Sequence, residues 1–363
     1  MELVKTSYPK DLVTILMQDV RGKVPILDTA EREKLNQSGV HYSEMLPLEY
    51  VPTQKYMDIY EASLAELSFE TANAVAALSD KIIKRHGRDV VIVSFARAGT
   101  PIGILVKKYI MHKYGYNIPH YSISIIRGKG IDYKAMQIIA DKHPVKDIQF
   151  LDGWVGKGAI NKVLEESCKE LALRDPRFNE LDTEMAVLSD PASVTEMYGT
   201  RQDFLIPSAC LNATVSGLIS RSVKMPNMTD DELHGAVYYE EQEAADKSME
   251  FIQEVESFFD QVQDNYFNPS EEESDPNFKG IDEVRKIDKI FGVGDINKVK
   301  PGVGETTRVL LRRVPYKVLV RKDANPKYLK HILRLCEEKN IPVEYFPFRK
   351  YNVCGIIKNV ADL

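Results

Sequence analysis

Apolar positions fall along this chain in two rhythms, and each predicts a different element. Short apolar runs at residues 89–95 (DVVIVSF), 120–126, 147–151 (DIQFL) and 184–188 fit strands buried on both faces. Helical spacing follows the first of them at 102–114 and the third at 159–173. Strands alternating with helices predict an α/β fold built on a parallel sheet with crossover helices. Further on, Met249, Ile252, Val255, Phe258, Phe259 and Val262 recur at helical spacing under an acidic outer face, so 240–267 is predicted as one amphipathic helix. Residues 268–276 then combine Pro269 and Pro276 with a run of like charge, the composition of a solvated linker. No internal repeat is visible.

Composition adds a boundary. The 363 residues are 44% hydrophobic and 28% charged, with a net charge of −6, which leaves room for two globular domains. From Val284 onward there are 18 Lys or Arg against 8 Asp or Glu, a balance of +10, so the preceding part carries −16. We therefore expect a first domain over 1–267, a linker over 268–283 and a basic domain over 284–363. No apolar run reaches the roughly 18 residues a membrane span needs, and residues 1–13 lack the pattern of a signal peptide. A cytoplasmic protein without a membrane partner is expected. The four cysteines and seven histidines do not fall at zinc-site spacings, so free thiols are expected and no metal ligands are assigned.

Two strand-to-helix turns carry the chemistry of anion binding. Gly153-Trp154-Val155-Gly156-Lys157-Gly158, opening into the helix at Ala159, offers close backbone approach, helix-start N–H groups and a lysine. The same text also reads as an ordinary tight turn. Ser94-Phe-Ala-Arg-Ala-Gly-Thr-Pro101 makes a second such turn at the end of another strand, where open α/β sheets place ligands. Together these turns resemble the type I phosphoribosyltransferases. By that resemblance the first domain is a phosphoribosyltransferase-like parallel sheet with hood segments, and Asp152 faces the ribose hydroxyls of phosphoribosyl pyrophosphate. Gly156, Lys157, Gly158 and Ala159 surround the terminal phosphate, while Arg97, Ala98 and Gly99 hold the pyrophosphate with Mg²⁺. Arg127, in Arg127-Gly-Lys-Gly130, sits where the family has a mobile basic loop, and equally reads as a solvated basic hairpin. The family's second acidic residue is Gly153 here, and its two threonines are Gly156 and Lys157. The resemblance implies Asp152, Arg97 and Arg127 as catalytic residues of a pentosyltransferase.

One more segment stands out. Around Cys210, residues 204–217 gather small and hydroxyl side chains in what reads as a loop-to-helix turn. Cys210 is either a buried small residue or a nucleophile activated by a helix start and a histidine such as His234. Ser208, Asn212 and Thr214 are candidates for an acceptor pocket.

The C-terminal text Gly302-Val-Gly-Glu-Thr-Thr-Arg308 resembles the Gly-x-Asn-Glu-x-Thr-Lys motif of the Pelota and kink-turn-binding family, a small α/β RNA-binding fold. A strand at 316–320, a helix ending near 336–342 and a strand at 343–346 follow that family's order. The resemblance implies Gly304, Glu305, Arg308 and Arg312 as RNA contacts, with Gly304 replacing the family's asparagine. Arg313, Arg321 and Lys322 would add phosphate affinity. As a whole the chain resembles a bacterial group found with tellurium-resistance and stress-response operons. Its members are predicted to make a ribonucleoside-like product, and some carry the label cysteine protease StiP. Three functions follow as expectations: a phosphoribosyltransferase with an RNA-binding tail, a phosphoribosyl pyrophosphate sensor that binds RNA, or a cysteine hydrolase using Cys210. Assembly as a homodimer is left open.

Overall fold

The structure, a computed structural model, describes residues 2–267, 278–313 and 315–357. Most of the expected linker lies outside them. The first domain is built on strands β1 (Thr14–Ile15), β2 (Val91–Phe95), β3 (His120–Ile123), β4 (Ile148–Trp154), β5 (Ala186–Ser189) and β6 (Tyr198–Thr200). Their spatial order is β1-β3-β2-β4-β5-β6, and every neighbouring pair runs parallel. All residues of β2, β3 and β5 are buried, because helices cover both faces of the sheet. The expected α/β architecture with a central parallel sheet is present.

Helix α1 (Gln54–His86) crosses one face and buries Tyr60, Leu64, Leu67, Thr71, Val75, Leu78 and Ile82 at helical spacing. Lys84, Arg85 and His86 complement the dipole in its last turn, and Gly87 ends it at φ 68°. The sheet's far edge lies hard against this helix: a Cβ on Gly199 in β6 would stand 2.4 Å from the Ala74 carbonyl oxygen.

From β2 the chain runs through α2 (Gly99–Tyr114) to β3 on one side, then places β4 on the other side of β2. The ends of β2 and β4 therefore flank the topological switch point, where an open parallel sheet leaves a crevice. Gly99 is fitted to that closeness, since a Cβ there would lie 2.8 Å from the Leu151 carbonyl oxygen. Helix α3 (Ala159–Arg174) leaves the second turn through Gly158 at φ 78°.

The C-terminal domain comprises α4 (Gly280–Phe291), β7 (Val299–Pro301), α5 (Val303–Arg312), β8 (Pro315–Val320), α6 (Pro326–Glu338), β9 (Val343–Tyr345) and β10 (Val353–Ile357). Its sheet order is β7-β10-β8-β9. One apolar cluster runs through both domains, joining Phe204 and Ile206 of the first to Val303, Tyr328 and Ile332 of the second.

Three local expectations are corrected. The stretch 240–267 is not one helix but a 3-10 turn (Glu240–Ala245), an α-helix (Ser248–Glu256) and a second 3-10 turn (Phe259–Gln261). Asp246 causes the first break, accepting from the Ser248 N–H at 2.9 Å and hydroxyl at 2.6 Å and so starting a new helix. The strand expected over 120–126 ends at Ile123, and Ile125–Ile126 pairs antiparallel with Gly130–Ile131. Residues 127–129 are thus the exposed turn of a hairpin. Finally, residues 204–217 lead into no α-helix. They form two 3-10 turns, Pro207–Cys210 and Ala213–Val215.

Candidate functional site

A cavity of about 370 Å³ opens at the switch point, where the first domain's strand ends meet the start of α5. Arg97, Ala98, Asp152, Gly156, Lys157, Gly158 and Ala159 line it from one side, with Arg127 from the hairpin. Gly304, Glu305 and Arg308 line it from the other. Residues singled out on two separate resemblances thus share one cleft. Gly99 supports the wall without lining it, and the side chain of Arg312 lies outside the described residues.

The geometry assigns these residues different work. Asp152, half-buried, accepts from the Gly153 N–H at 2.8 Å, yet burial pushes its carboxyl up to about 7. It is therefore poised to hold or release a proton near neutrality. Arg97 is already paired: Glu49 receives both of its guanidinium ends, at 2.7 and 2.9 Å, and Ile219 accepts a third bond at 3.2 Å. Burial opposes the Arg97 charge, but Glu49 outweighs it. Lys157 points into the second domain and donates to the carbonyls of Ile296 at 2.9 Å and Val299 at 3.1 Å. Burial, with Lys300 nearby, lowers its ammonium to about 8.

Two helix starts, those of α3 and α5, open on the same cleft and bring N–H groups and positive dipole ends to it. Two polar atoms on the wall are buried and lack a hydrogen-bond partner among the described residues: the Trp154 indole Nε1 and Asn161 Oδ1. A Cβ on Gly156 would collide with the Trp154 ring at 2.5 Å, so that glycine makes room for the indole. At Gly304 a Cβ would meet only Ala209, at 3.8 Å, so the position is open for a ligand.

The junction is held by groups that no local motif announced. Asp203 accepts from the N–H of Val303 at 2.8 Å and of Asn352 at 2.7 Å. The Tyr351 hydroxyl donates to the Gly156 carbonyl. On the outer side, Lys55, Glu66 and Glu70 of α1 pair with Glu338, Lys330 and Lys327 of α6.

Cys210 is not in the cleft. It is fully buried behind Ser208, Ala209 and Asn212, which do line it, and its sulfur lies 3.7 Å from the Ser63 hydroxyl. It ends a 3-10 turn, so the activating helix start expected for it is absent. His234 is committed elsewhere, with its Nδ1 2.8 Å from the Ser124 hydroxyl and its backbone N–H donated to Asp132. Thr214, buried, is not among the lining residues. Among the described residues no group of three or more His, Cys, Asp or Glu is arranged to hold a metal ion, and no helix is long and apolar enough to cross a membrane.

Comparison with known proteins bears on both halves. Residues 6–256 match the family model described as tellurite-like stress resistance cysteine protease StiP, and residues 278–359 match the Pelota RNA-binding domain. A relative from Acinetobacter baylyi, named cysteine protease StiP, is 34% identical over 343 residues, covering 91% of this chain and 88% of the relative. The 13 kDa ribonucleoprotein-associated proteins of Saccharomyces cerevisiae and Kluyveromyces lactis are each 29% identical over 77 residues, 20% of this chain and 61% of theirs.

These matches correct the expectation of a phosphoribosyltransferase. The segment that suggested one belongs to a family described as a cysteine protease, a hydrolase rather than a glycosyltransferase. Phosphoribosyl pyrophosphate gains no support as a partner, for an enzyme or for a sensor. Local chemistry had blurred the distinction, because glycine turns at a parallel sheet's switch point suit many anionic ligands. Matched over more than two thirds of its length and aligned with a full-length relative, the chain belongs to the StiP family and ends in a Pelota RNA-binding domain.

Proposed function

We propose that this protein binds RNA and that its working site is the cleft at the domain junction, where an unpaired nucleotide of the bound RNA is held. One observation carries this reading: Gly304, Glu305 and Arg308 of the RNA-binding domain line the same cavity as the strand-end turns of the first domain. A volume of about 370 Å³ suits a nucleotide-sized ligand. The physics is that of RNA recognition, in which proteins read bases splayed out of the helix, stack them on flat side chains and bind phosphate with N–H groups. The start of α3 offers the N–H groups, Arg127, Lys300 and Arg308 supply charge, and the Trp154 ring, held between Gly156 and Gly302, forms part of the wall. The ribonucleoprotein relatives agree with an RNA partner, and we carry over the stress-resistance setting named in the family's description.

Fluorescence anisotropy with single-stranded and duplex oligoribonucleotides tests it. The single strand should bind more tightly, and Arg308→Ala should weaken it roughly tenfold. The proposal fails if the intact chain binds no RNA, or if neither Arg308→Ala nor Trp154→Leu changes the affinity.

A second reading, a thiol hydrolase, is favoured by the family's description and by the relative's name. Chemistry requires an accessible thiolate, whereas all four cysteines are buried here. Titrating the native protein with a thiol-reactive disulfide reagent should therefore show no fast-reacting thiol, and all four only after denaturation. A single fast equivalent that disappears in Cys210→Ser, together with peptide hydrolysis lost in that variant, would establish the hydrolase instead.

A further inference from the structure

The glycine turn that opens α3 is held from outside its own domain. The Tyr351 hydroxyl, on the segment before β10 of the RNA-binding domain, donates to the Gly156 carbonyl. Lys157 donates to the carbonyls of Ile296 at 2.9 Å and Val299 at 3.1 Å in the same domain. The Trp154 ring fills the space that a side chain on Gly302 would need, since a Cβ there would lie 2.5 Å from it. Tyr351 is fully buried, and Gly280 leaves room for its hydroxyl, because a Cβ on that glycine would collide with the oxygen. Burial, then the charge of Glu283, holds the phenol far above its ordinary value, so the hydroxyl stays a donor.

The peptide bond transmits this contact. Its C=O and N–H lie in one plane and, in the trans form, point in opposite directions, so a donor that fixes the Gly156 carbonyl also fixes the Lys157 N–H. Tyr351 is not among the residues lining the cleft, whereas Gly156, Lys157 and Gly158 are. The carbonyl is therefore turned to the buried side of the turn and the Lys157 N–H to the cleft side. That N–H has no hydrogen-bond partner among the described residues. Nor does Oδ1 of Asn161, which is 9% exposed in the first turn of α3 and lines the same wall. One turn thus offers the cleft an uncommitted donor and an uncommitted acceptor.

We propose that Tyr351 is a positioning residue: by pinning the Gly156 carbonyl it aims the Lys157 N–H at a phosphate oxygen of the nucleotide in the cleft, so that the RNA-binding domain completes the phosphate site of the first domain. The inference rests on the RNA-binding reading and deepens it. It also gives Lys157 two tasks, its side chain anchoring the turn to the second domain while its backbone meets the phosphate. Asn161 Oδ1 suits a ribose hydroxyl beside that phosphate.

Tyr351→Phe tests the proposal, because the ring stays and only the hydroxyl goes. Single-stranded RNA affinity of the full chain should fall roughly tenfold, the loss expected for one hydrogen bond to a charged group. An N–H releases no counterion, so the slope of log K against log salt should be unchanged, whereas Arg308→Ala should make it shallower by about 0.7. A merely structural role reads differently: a loosened RNA-binding domain loses the Arg308 contact too, and the slope falls with it. In the intact chain the Lys157 amide proton should move downfield when the oligonucleotide is added, a result that needs no variant. An unmoved amide, an unchanged affinity in Tyr351→Phe, or a slope that falls as it does in Arg308→Ala overturns the proposal. If Arg308→Ala weakens binding while Tyr351→Phe does not, the cleft reading stands and the positioning role falls. A chain that binds no RNA ends both.

Discussion

Replacing Asp203 with alanine should loosen the C-terminal domain by about 3 kcal/mol, a shift of roughly two orders of magnitude in its opening equilibrium. The carboxylate is 2% exposed and sits between the domains, accepting the Val303 N–H that opens α5 and the Asn352 N–H beside β10. Without it, two backbone donors are left in a dry interface with no acceptor, each costing on the order of 1–3 kcal/mol. A cost already present in the native state offsets part of this, because burial pushes the Asp203 carboxyl up to about 7 despite those N–H bonds. Asp203→Asn should not rescue the interface, since its amide group turns a donor toward one of the two N–H groups. Hydrogen exchange reads the effect directly: the amides of Val303 and Asn352 should exchange roughly a hundredfold faster while those of β2 and β4 keep their protection. Unchanged exchange at 303 and 352 would show that the apolar contact of Phe204 with Tyr328, 6.1 Å between ring centroids, suffices to hold the junction. The cleft depends on that junction, so single-stranded RNA affinity should fall with it.

How far the sequence announces this molecule depends on how local each signal is. β2 and β4 are buried on both faces, so their apolar runs stand out, and the glycines after them mark the two turns that the topology brings together at the switch point. β1 and β6, with two and three residues, carry no pattern of their own and exist because a neighbouring strand and α1 hold them. Helix α1 buries Ser63, Ser68, Thr71, Ala72, Ala74 and Ala76 along with its larger side chains, which dilutes the apolar stripe that would have marked it. Among the small residues around Cys210, Ser208, Ala209 and Asn212 line the cleft, while the thiol itself is buried against Ser63 of α1. Most of the cleft's candidate residues were visible as motifs, whereas the groups that decide their state were not. Glu49 neutralises Arg97 and the carbonyls of Ile296 and Val299 occupy Lys157, each from a segment distant in sequence. Function was misread for a related reason: turns that suit phosphate do not specify which reaction, if any, follows.

Folding stability should fall more steeply with acid below about pH 4 than between about pH 4 and 6, because in the upper window two sets of buried groups oppose each other. Burial lowers His120 and His234 to about 3 and His331 to about 4. A depressed base contributes stability that is present above its unfolded value of 6.5 and lost as pH falls toward the folded value, since the unfolded chain then takes up protons that the native one refuses. Burial acts oppositely on the buried acids, raising Asp132 to about 6, Asp152 and Asp203 to about 7, and Asp190 and Glu283 above their ordinary range. A raised acid contributes stability that is present below its unfolded value of 3.8 and lost as pH rises through the folded value. From about pH 4 to 6 the two sets pull in opposite directions; below 4 the acids add nothing more while His120 and His234 still resist protonation. His120 is the cleanest lever. It is 4% exposed, its Nδ1 lies 3.1 Å from the Leu12 carbonyl and its Nε2 lies 2.8 Å from the Ser94 hydroxyl, so the neutral ring is satisfied and a charged one is not solvated. His120→Gln removes one proton from the balance. Whatever that substitution costs at pH 6.5, the variant's stability at pH 4.5 relative to pH 6.5 should exceed the wild-type difference by about 2.3 kcal/mol, a little under two full pH units at roughly 1.36 kcal/mol each because the unfolded ring is already half-protonated at pH 6.5. Denaturant titrations at the two pH values measure it, and equal pH trends in the two proteins would mean that His120 is protonated in the native state and that its burial is relieved by motions opening the α2 face of the sheet.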